Sequence, residues 1–178
     1  MRHWLPSRNF GPAVQAQLAI AAYKAGIAAS ANLTVGGFDT HGDHDNRQFA
    51  SLRRYLEGVD FLMEEAERQG IADNIVVVMG SDFGRTPGYN MNMGKDHWSI
   101  TSMMFMGTGI PGNTVIGETN HGHVAKTVNP ETLELDENGI RITPEHIHLS
   151  LRQLAGVWGH PLEQNFPIGV EKMPLFED

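Results

Sequence analysis

Residues 75–79, Ile-Val-Val-Val-Met, form an uninterrupted apolar run, and the chain then breaks at once into Gly80-Ser81-Asp82-Phe83-Gly84-Arg85-Thr86-Pro87. Such a run reads as a buried strand. A buried strand that ends in an acid, glycines, an arginine and a proline is changing from packing to chemistry. Two elements upstream give it a context. Residues 31–38 read as an earlier strand, with Gly36-Gly37 suggesting close approach of another backbone or a ligand. Between them, residues 47–69 carry Phe49, Leu52, Leu56, Val59, Leu62 and Met63 at steps of three and four, a helical stripe, with Gly70 placed to end it. Strand, helix, strand is a βαβ unit, and its right-handed crossover makes the strands parallel. Asp39 and Asp82 would then leave the same sheet edge, where open α/β sheets bind ligands. The expected fold class is therefore α/β, with a mostly parallel sheet flanked by helices.

Composition narrows the function. The 178 residues fit a single domain over 1–178, and 40% hydrophobic residues supply a core. A formal charge of −8 with no basic stripe argues against a nucleic-acid partner. The absence of cysteine removes disulfides, thiolate ligands and a thiol nucleophile. No apolar run approaches the roughly 20 residues of a membrane span, and the first residues lack a signal-peptide core.

The rest of the chain is read from local signals. Residues 1–11 are an irregular lead-in. Pro12 opens a helix with Val14, Leu18, Ala21, Ala22 and Ala25 on one side, and Gly26 ends it. Residues 84–98 form an irregular loop long enough to cover a site. Residues 100–106 and 114–117 read as strands, and 132–135 with 140–142 as a hairpin. Thr143-Pro144-Glu145 starts a last helix with Ile147, Leu151, Leu154 and Val157 on one face. The proline-punctuated tail from Gly159 is expected on the surface.

Nine histidines are unusual for this length. Asp39, His41, His44, Asp82, Asp96 and His97 make a carboxylate and imidazole set of the kind that holds a divalent ion (Zn, Mn, Mg or Ca). Two acids at one sheet edge would repel unless a cation lies between them. Each residue also has a plainer reading. Asp39 can form a turn, His41 and His44 can be loop residues, Asp82 can cap backbone N–H groups, and Asp96-His97 can be a polar turn. Asp43 and Asp45 raise a calcium loop, but the glycine and bidentate glutamate of an EF-hand are missing. Arg85 is a candidate clamp for an anionic oxygen, with Lys95 a weaker one; a solvated arginine is the alternative. Ser81 and Thr86 are the nearest hydroxyls and have no visible activating base. His121-x-His123 lies in a glycine loop and His146-x-His148 in a helix, where such pairs diverge.

Gly-Gly-Phe-Asp-Thr-His-Gly (36–42), Val-Val-Val-Met-Gly-Ser-Asp-Phe-Gly-Arg-Thr-Pro (76–87), Gly-Lys-Asp-His-Trp (94–98) and Val-Ile-Gly-Glu-Thr (115–119) together resemble the DUF1501 family, over roughly residues 12–158. That family is similar to the alkaline phosphatase/sulfatase superfamily. The resemblance implies an alkaline-phosphatase-like fold, here its C-terminal portion, with the nucleophile in a preceding segment. It implies metal ligation by Asp39, His41, Asp82 and His97, and hydrolysis of phosphate or sulfate esters, small or polymeric. Phe83 stands where the superfamily has a second ligating histidine. A non-catalytic metal-binding or assembly domain is the alternative. The resemblance further implies export, and a partial sheet would be covered by self-association or by the preceding segment.

Overall fold

The computed structural model describes residues 11–177. The expected lead-in over 1–11 therefore lies, up to residue 10, outside the described residues. The chain divides into two compact units. One holds the described residues through Ile75 together with Gly88–His97, and the other holds Val76–Pro87 and the chain from Trp98 on.

The first unit is a helix pair. Helix α1 spans Pro12–Lys24 and α2 spans His44–Arg68. Pro12 occupies the first turn, where its missing N–H costs nothing, and Gly26 follows the helix with φ 68°. Gly70 takes φ 69° after α2, as the C′ position asks. Gly58 lets the helices meet, because a Cβ there would lie 2.6 Å from the Pro12 Cβ. The buried side chains are Ala16 and Ile20 on α1 with Ser51, Leu62 and Ala66 on α2. The expected stripe is only partly inside, since Phe49, Leu52 and Leu56 are 72%, 42% and 53% exposed. No helix among the described residues is long and apolar enough to cross a membrane.

The expected strand over 31–38 does not form. Its backbone polar groups are taken by helix side chains instead of a ladder. Thr34 exchanges two hydrogen bonds with the Gln15 carboxamide, at 2.8 and 2.9 Å. Arg54 donates to the Gly36 carbonyl at 2.6 Å, and the Ser51 hydroxyl to the Gly37 carbonyl at 3.0 Å. Gly37 has φ 101°, and a Cβ there would sit 2.7 Å from both Arg54 and Ser51. With no first strand there is no βαβ crossover.

The second unit corrects the sheet. Strand β1 (Val76–Met79) forms as expected, but it pairs antiparallel with β4 (Met104–Gly107), Val76 opposite Gly107 and Met79 opposite Met104. The remaining strands of the described chain, β2 (Gly84–Arg85) and β3 (His97–Trp98, whose first residue belongs to the first unit), have two residues each. No sheet among the described residues exceeds two strands. The mostly parallel, alkaline-phosphatase-like sheet is therefore overturned: these are helices with short two-stranded antiparallel sheets. Residues 114–117 are not a strand. The expected hairpin reduces to isolated bridges in which Leu135 and Ile140 both meet Val128.

Helix α3 spans Pro144–Leu154. Its cap is a histidine variant of the capping box: His146 Nδ1 accepts from the Thr143 N–H at 3.0 Å and lies 2.9 Å from the Thr143 hydroxyl. The tail from Gly159 is largely exposed, as expected, but its last residues turn inward. Met173 and Leu175 are buried with Val128, and Ile116, Leu133, Ile140, Ile142, Ile147 and Phe176 pack around them. The buried Ser150 hydroxyl of α3 reaches the Met173 carbonyl at 2.9 Å.

Three carboxylates around α3 sit below the usual range. Glu145 is held down first by the Thr143 hydroxyl. Glu163 is held down first by the Gly159 N–H and further by Arg152, and Glu171 first by its own N–H and further by His146. A carboxylate with a lowered folded pKa adds stability that is complete above its unfolded value and disappears as pH falls through the folded one. The melting temperature should therefore fall once pH drops below about 4.5, the ordinary value for these groups. Glu163→Gln should flatten part of that fall, and a melting temperature unchanged between about pH 5 and 3 would contradict it.

Candidate metal centre

Two loop segments of the first unit build the site. The first, residues 39–43, leads into α2 through Asp43, which takes the left-handed φ of 46°. The second, residues 88–97, lies along it. The Lys95 N–H donates to the Thr40 carbonyl at 3.0 Å, the Asp43 N–H to Asn92 at 3.2 Å and the His44 N–H to Met93 at 2.9 Å. Arg47 ties the first segment to α2, donating to the Asp39 carbonyl at 3.1 Å and the Gly42 carbonyl at 3.3 Å. Gly94 is required at the crossing: a Cβ would fall onto the His41 carbonyl and the Gly42 nitrogen.

This register brings Asp39, His41 and His97 together as a group able to hold a metal ion. His41 Nε2 lies 3.0 Å from Asp39 Oδ1 and 3.2 Å from His97 Nε2, and His97 Nε2 lies 3.3 Å from the same oxygen. All three side chains are about half or more exposed, so the face they present is open to solvent.

Hydrogen-bond chemistry makes the arrangement informative. Asp96 Oδ1 lies 2.8 Å from His41 Nδ1. A carboxylate can only accept, so Nδ1 carries the proton, and in the neutral ring Nε2 is a lone pair. That lone pair faces the Asp39 oxygen at 3.0 Å, an acceptor against an acceptor. A single proton on His97 Nε2 can satisfy one of them and not both. A second proton on the His41 ring, or a cation, resolves the conflict. The spacing suits a cation: an ion bonded at about 2.0–2.2 Å, with angles of about 90–110°, holds its ligands about 2.8–3.6 Å apart. The three separations, 3.0, 3.2 and 3.3 Å, fall within that interval. By residue type and separation the three side chains are a possible metal-binding group.

The remaining expected residues divide. Asp96 acts behind the ligands, orienting His41. His44 begins α2, with Nδ1 2.7 Å from the hydroxyl of the buried Thr40, and stands outside the converging group. Asp82 and Arg85 belong to the second unit, Asp82 on the turn after β1 and Arg85 in β2. There the Arg85 guanidinium lies over the Phe83 ring at 5.8 Å. Lys95 places its ammonium over the Tyr89 ring at 5.0 Å. Tyr89 in turn donates to Asp45 at 2.7 Å, which raises the phenol above its ordinary value. His123 sits in a tight turn with φ 55°, and no second metal-type group occurs among the described residues.

Sequence reasoning did not single out Asn90, and it quoted Gly94 only as the first residue of the 94–98 motif. An asparagine four residues before a glycine in a polar loop is a turn signal, and nothing in it announces a bond to another loop.

A family model described as "Protein of unknown function (DUF1501)" matches residues 14–135. No curated protein and no solved structure matches the chain. The matched segment spans more than half of the sequence and includes both loops of the site, and the chain belongs to the DUF1501 family.

Proposed function

We propose that Asp39, His41 and His97 hold one divalent ion and that the chain acts as a metal-dependent hydrolase of phosphate or sulfate esters. The observation that supports this most is the convergence of one Asp39 oxygen, His41 Nε2 and His97 Nε2 at 3.0–3.3 Å from one another. Two imidazoles with one carboxylate favour a Zn- or Mn-type ion over Mg or Ca, which take oxygen ligands. Three protein ligands with an open side is the pattern of catalytic rather than structural sites. A divalent ion there supplies Lewis acidity toward an ester oxygen. Asp39 lowers the net positive charge, and Asp96 keeps the His41 proton on Nδ1. The ester class rests on the likeness of the acid-x-His and Ser-Asp motifs to the alkaline phosphatase/sulfatase superfamily.

A second reading has its own observation. Thr40 is the hydroxyl between Asp39 and His41, yet it is fully buried and held by His44. That favours a site that binds an anionic oxygen without turning it over. Nitrophenyl phosphate and nitrophenyl sulfate, supplied with Zn²⁺ or Mn²⁺, separate the two. The hydrolase reading expects turnover that falls by about 100-fold or more in Asp39→Ala, a loss of about 2.7 kcal/mol of transition-state stabilisation. An ion-loaded protein inert toward both esters would favour the binding role.

A further inference from the structure

We infer that Asn90 is a positioning residue for this site, fixing through Asp96 which nitrogen of His41 carries the proton. The inference rests on the proposed ion site. The Asn90 amide nitrogen donates to Asp96 Oδ1 at 3.1 Å and to the His41 carbonyl at 3.1 Å. Its amide oxygen accepts from the Asn92 N–H and the Gly94 N–H, both at 2.9 Å. A carboxamide has two N–H donors and one oxygen with two lone pairs, so these four bonds use its whole capacity. They also fix its orientation. The flipped amide would aim N–H at two N–H groups and oxygen at a carbonyl and a carboxylate.

One side chain therefore joins three parts of the site. It closes the 90–94 turn, holds the backbone of a ligand residue, and clamps the carboxylate that orients that ligand. Asp96 Oδ1 receives both the His41 Nδ1–H and the Asn90 N–H, so the carboxylate cannot swing away from His41 without breaking the second bond. A carboxylate fixed against Nδ1 keeps Nε2 as the lone pair that a cation can use. No other side chain supplies two donors and two acceptors at this length. Serine keeps an acceptor for the turn but replaces two N–H donors with one O–H on a shorter side chain, and aspartate would set a second carboxylate against Asp96.

The test combines ion affinity with the state of the ring. Zn²⁺ affinity is measured by competition with a chelating indicator for the wild type, Asn90→Ala, Asn90→Ser and His97→Ala. Outer-shell partners typically contribute about 10–100-fold to metal affinity, and a loss of that size is expected in both Asn90 variants. Asn90→Ser can retain the turn through its hydroxyl, which separates loss of positioning from loss of fold; far-UV circular dichroism verifies helix content. The Co²⁺-loaded variants should also show an altered visible spectrum, because a loosened His41 changes the ligand field. On the ion-free wild type, a long-range ¹H–¹⁵N spectrum should show His41 protonated on Nδ1, and that measurement needs no variant. A wild type that binds no ion, or binds no better than His97→Ala, sinks the ion site itself. Tight wild-type binding lost in His97→Ala but kept in both Asn90 variants, or His41 protonated on Nε2, overturns only the role of Asn90.

Discussion

Gly94→Ala should cost the site its ion and the first unit part of its stability at once. The added Cβ would fall onto the His41 carbonyl and the Gly42 nitrogen, and backbone atoms cannot rotate away as a side chain can. Gly94 is buried, and its own groups are engaged: its N–H bonds the Asn90 amide oxygen and its carbonyl accepts from the Asn90 N–H at 2.8 Å. Relief therefore requires the two loops to separate. That shift moves His41 relative to His97, which lies three residues beyond Gly94 on the opposing loop. Overpacking of this kind costs about 1–3 kcal/mol, and displacing one of three ligands should weaken Zn²⁺ binding by at least about tenfold. Urea melts and indicator competition read the two effects separately. A Gly94→Ala protein with wild-type affinity would show that the two segments need not lie against each other for the ligands to meet.

Met173→Ala should be the most damaging single change in the second unit. Met173 is fully buried against Val128 and Leu175, and its carbonyl receives the Ser150 hydroxyl of α3. Truncation removes the side chain that fills the space between α3 and the segments around Val128. Burial loss plus cavity formation at such positions costs about 2–5 kcal/mol. That is a large share of the roughly 5–15 kcal/mol that stabilises an ordinary domain. A chemical-denaturation curve should show the midpoint shift, with retained ion binding if the first unit is intact. A loss below about 0.5 kcal/mol, the range of surface substitutions, would contradict the burial of Met173.

The helices were legible because their ends are marked locally: Pro12 and Gly26, Gly70 after α2, and Thr143-Pro144 before α3. The sheet was not. Residues 75–79 contain strand propensity but not the identity or direction of the partner, and the right-handed crossover rule holds only once both strands exist. Residues 31–38 had the composition of a strand, yet Gln15, Ser51 and Arg54, all on helices, hold its peptide groups. Such side-chain capture is nonlocal and leaves no periodicity to read. The tail is mostly exposed, as its prolines suggest, but proline punctuation says nothing about Met173 and Leu175, which are buried.

The site was more legible than the fold. Asp39, His41, Asp96 and His97 were recognisable by chemistry, because acids beside imidazoles in glycine-containing loops are an economical metal set. A shared sheet edge predicts only Asp39 beside Asp82, and that edge does not form; Asp39, His41, Asp96 and His97 meet because two loops lie against each other. His44 matched the chemistry but serves as the first residue of that helix, bonded to Thr40. Asn90 escaped because asparagine in a loop is read as a turn former, and it does form a turn while also reaching Asp96.

Titration of metal-stripped protein with Zn²⁺, run beside His97→Ala, shows whether the three side chains bind an ion. The convergence of Asp39, His41 and His97 predicts one ion bound per wild-type chain and none held specifically by the variant, with both proteins equally folded. A wild type that takes up no ion, or a variant that binds it as well, would contradict the site.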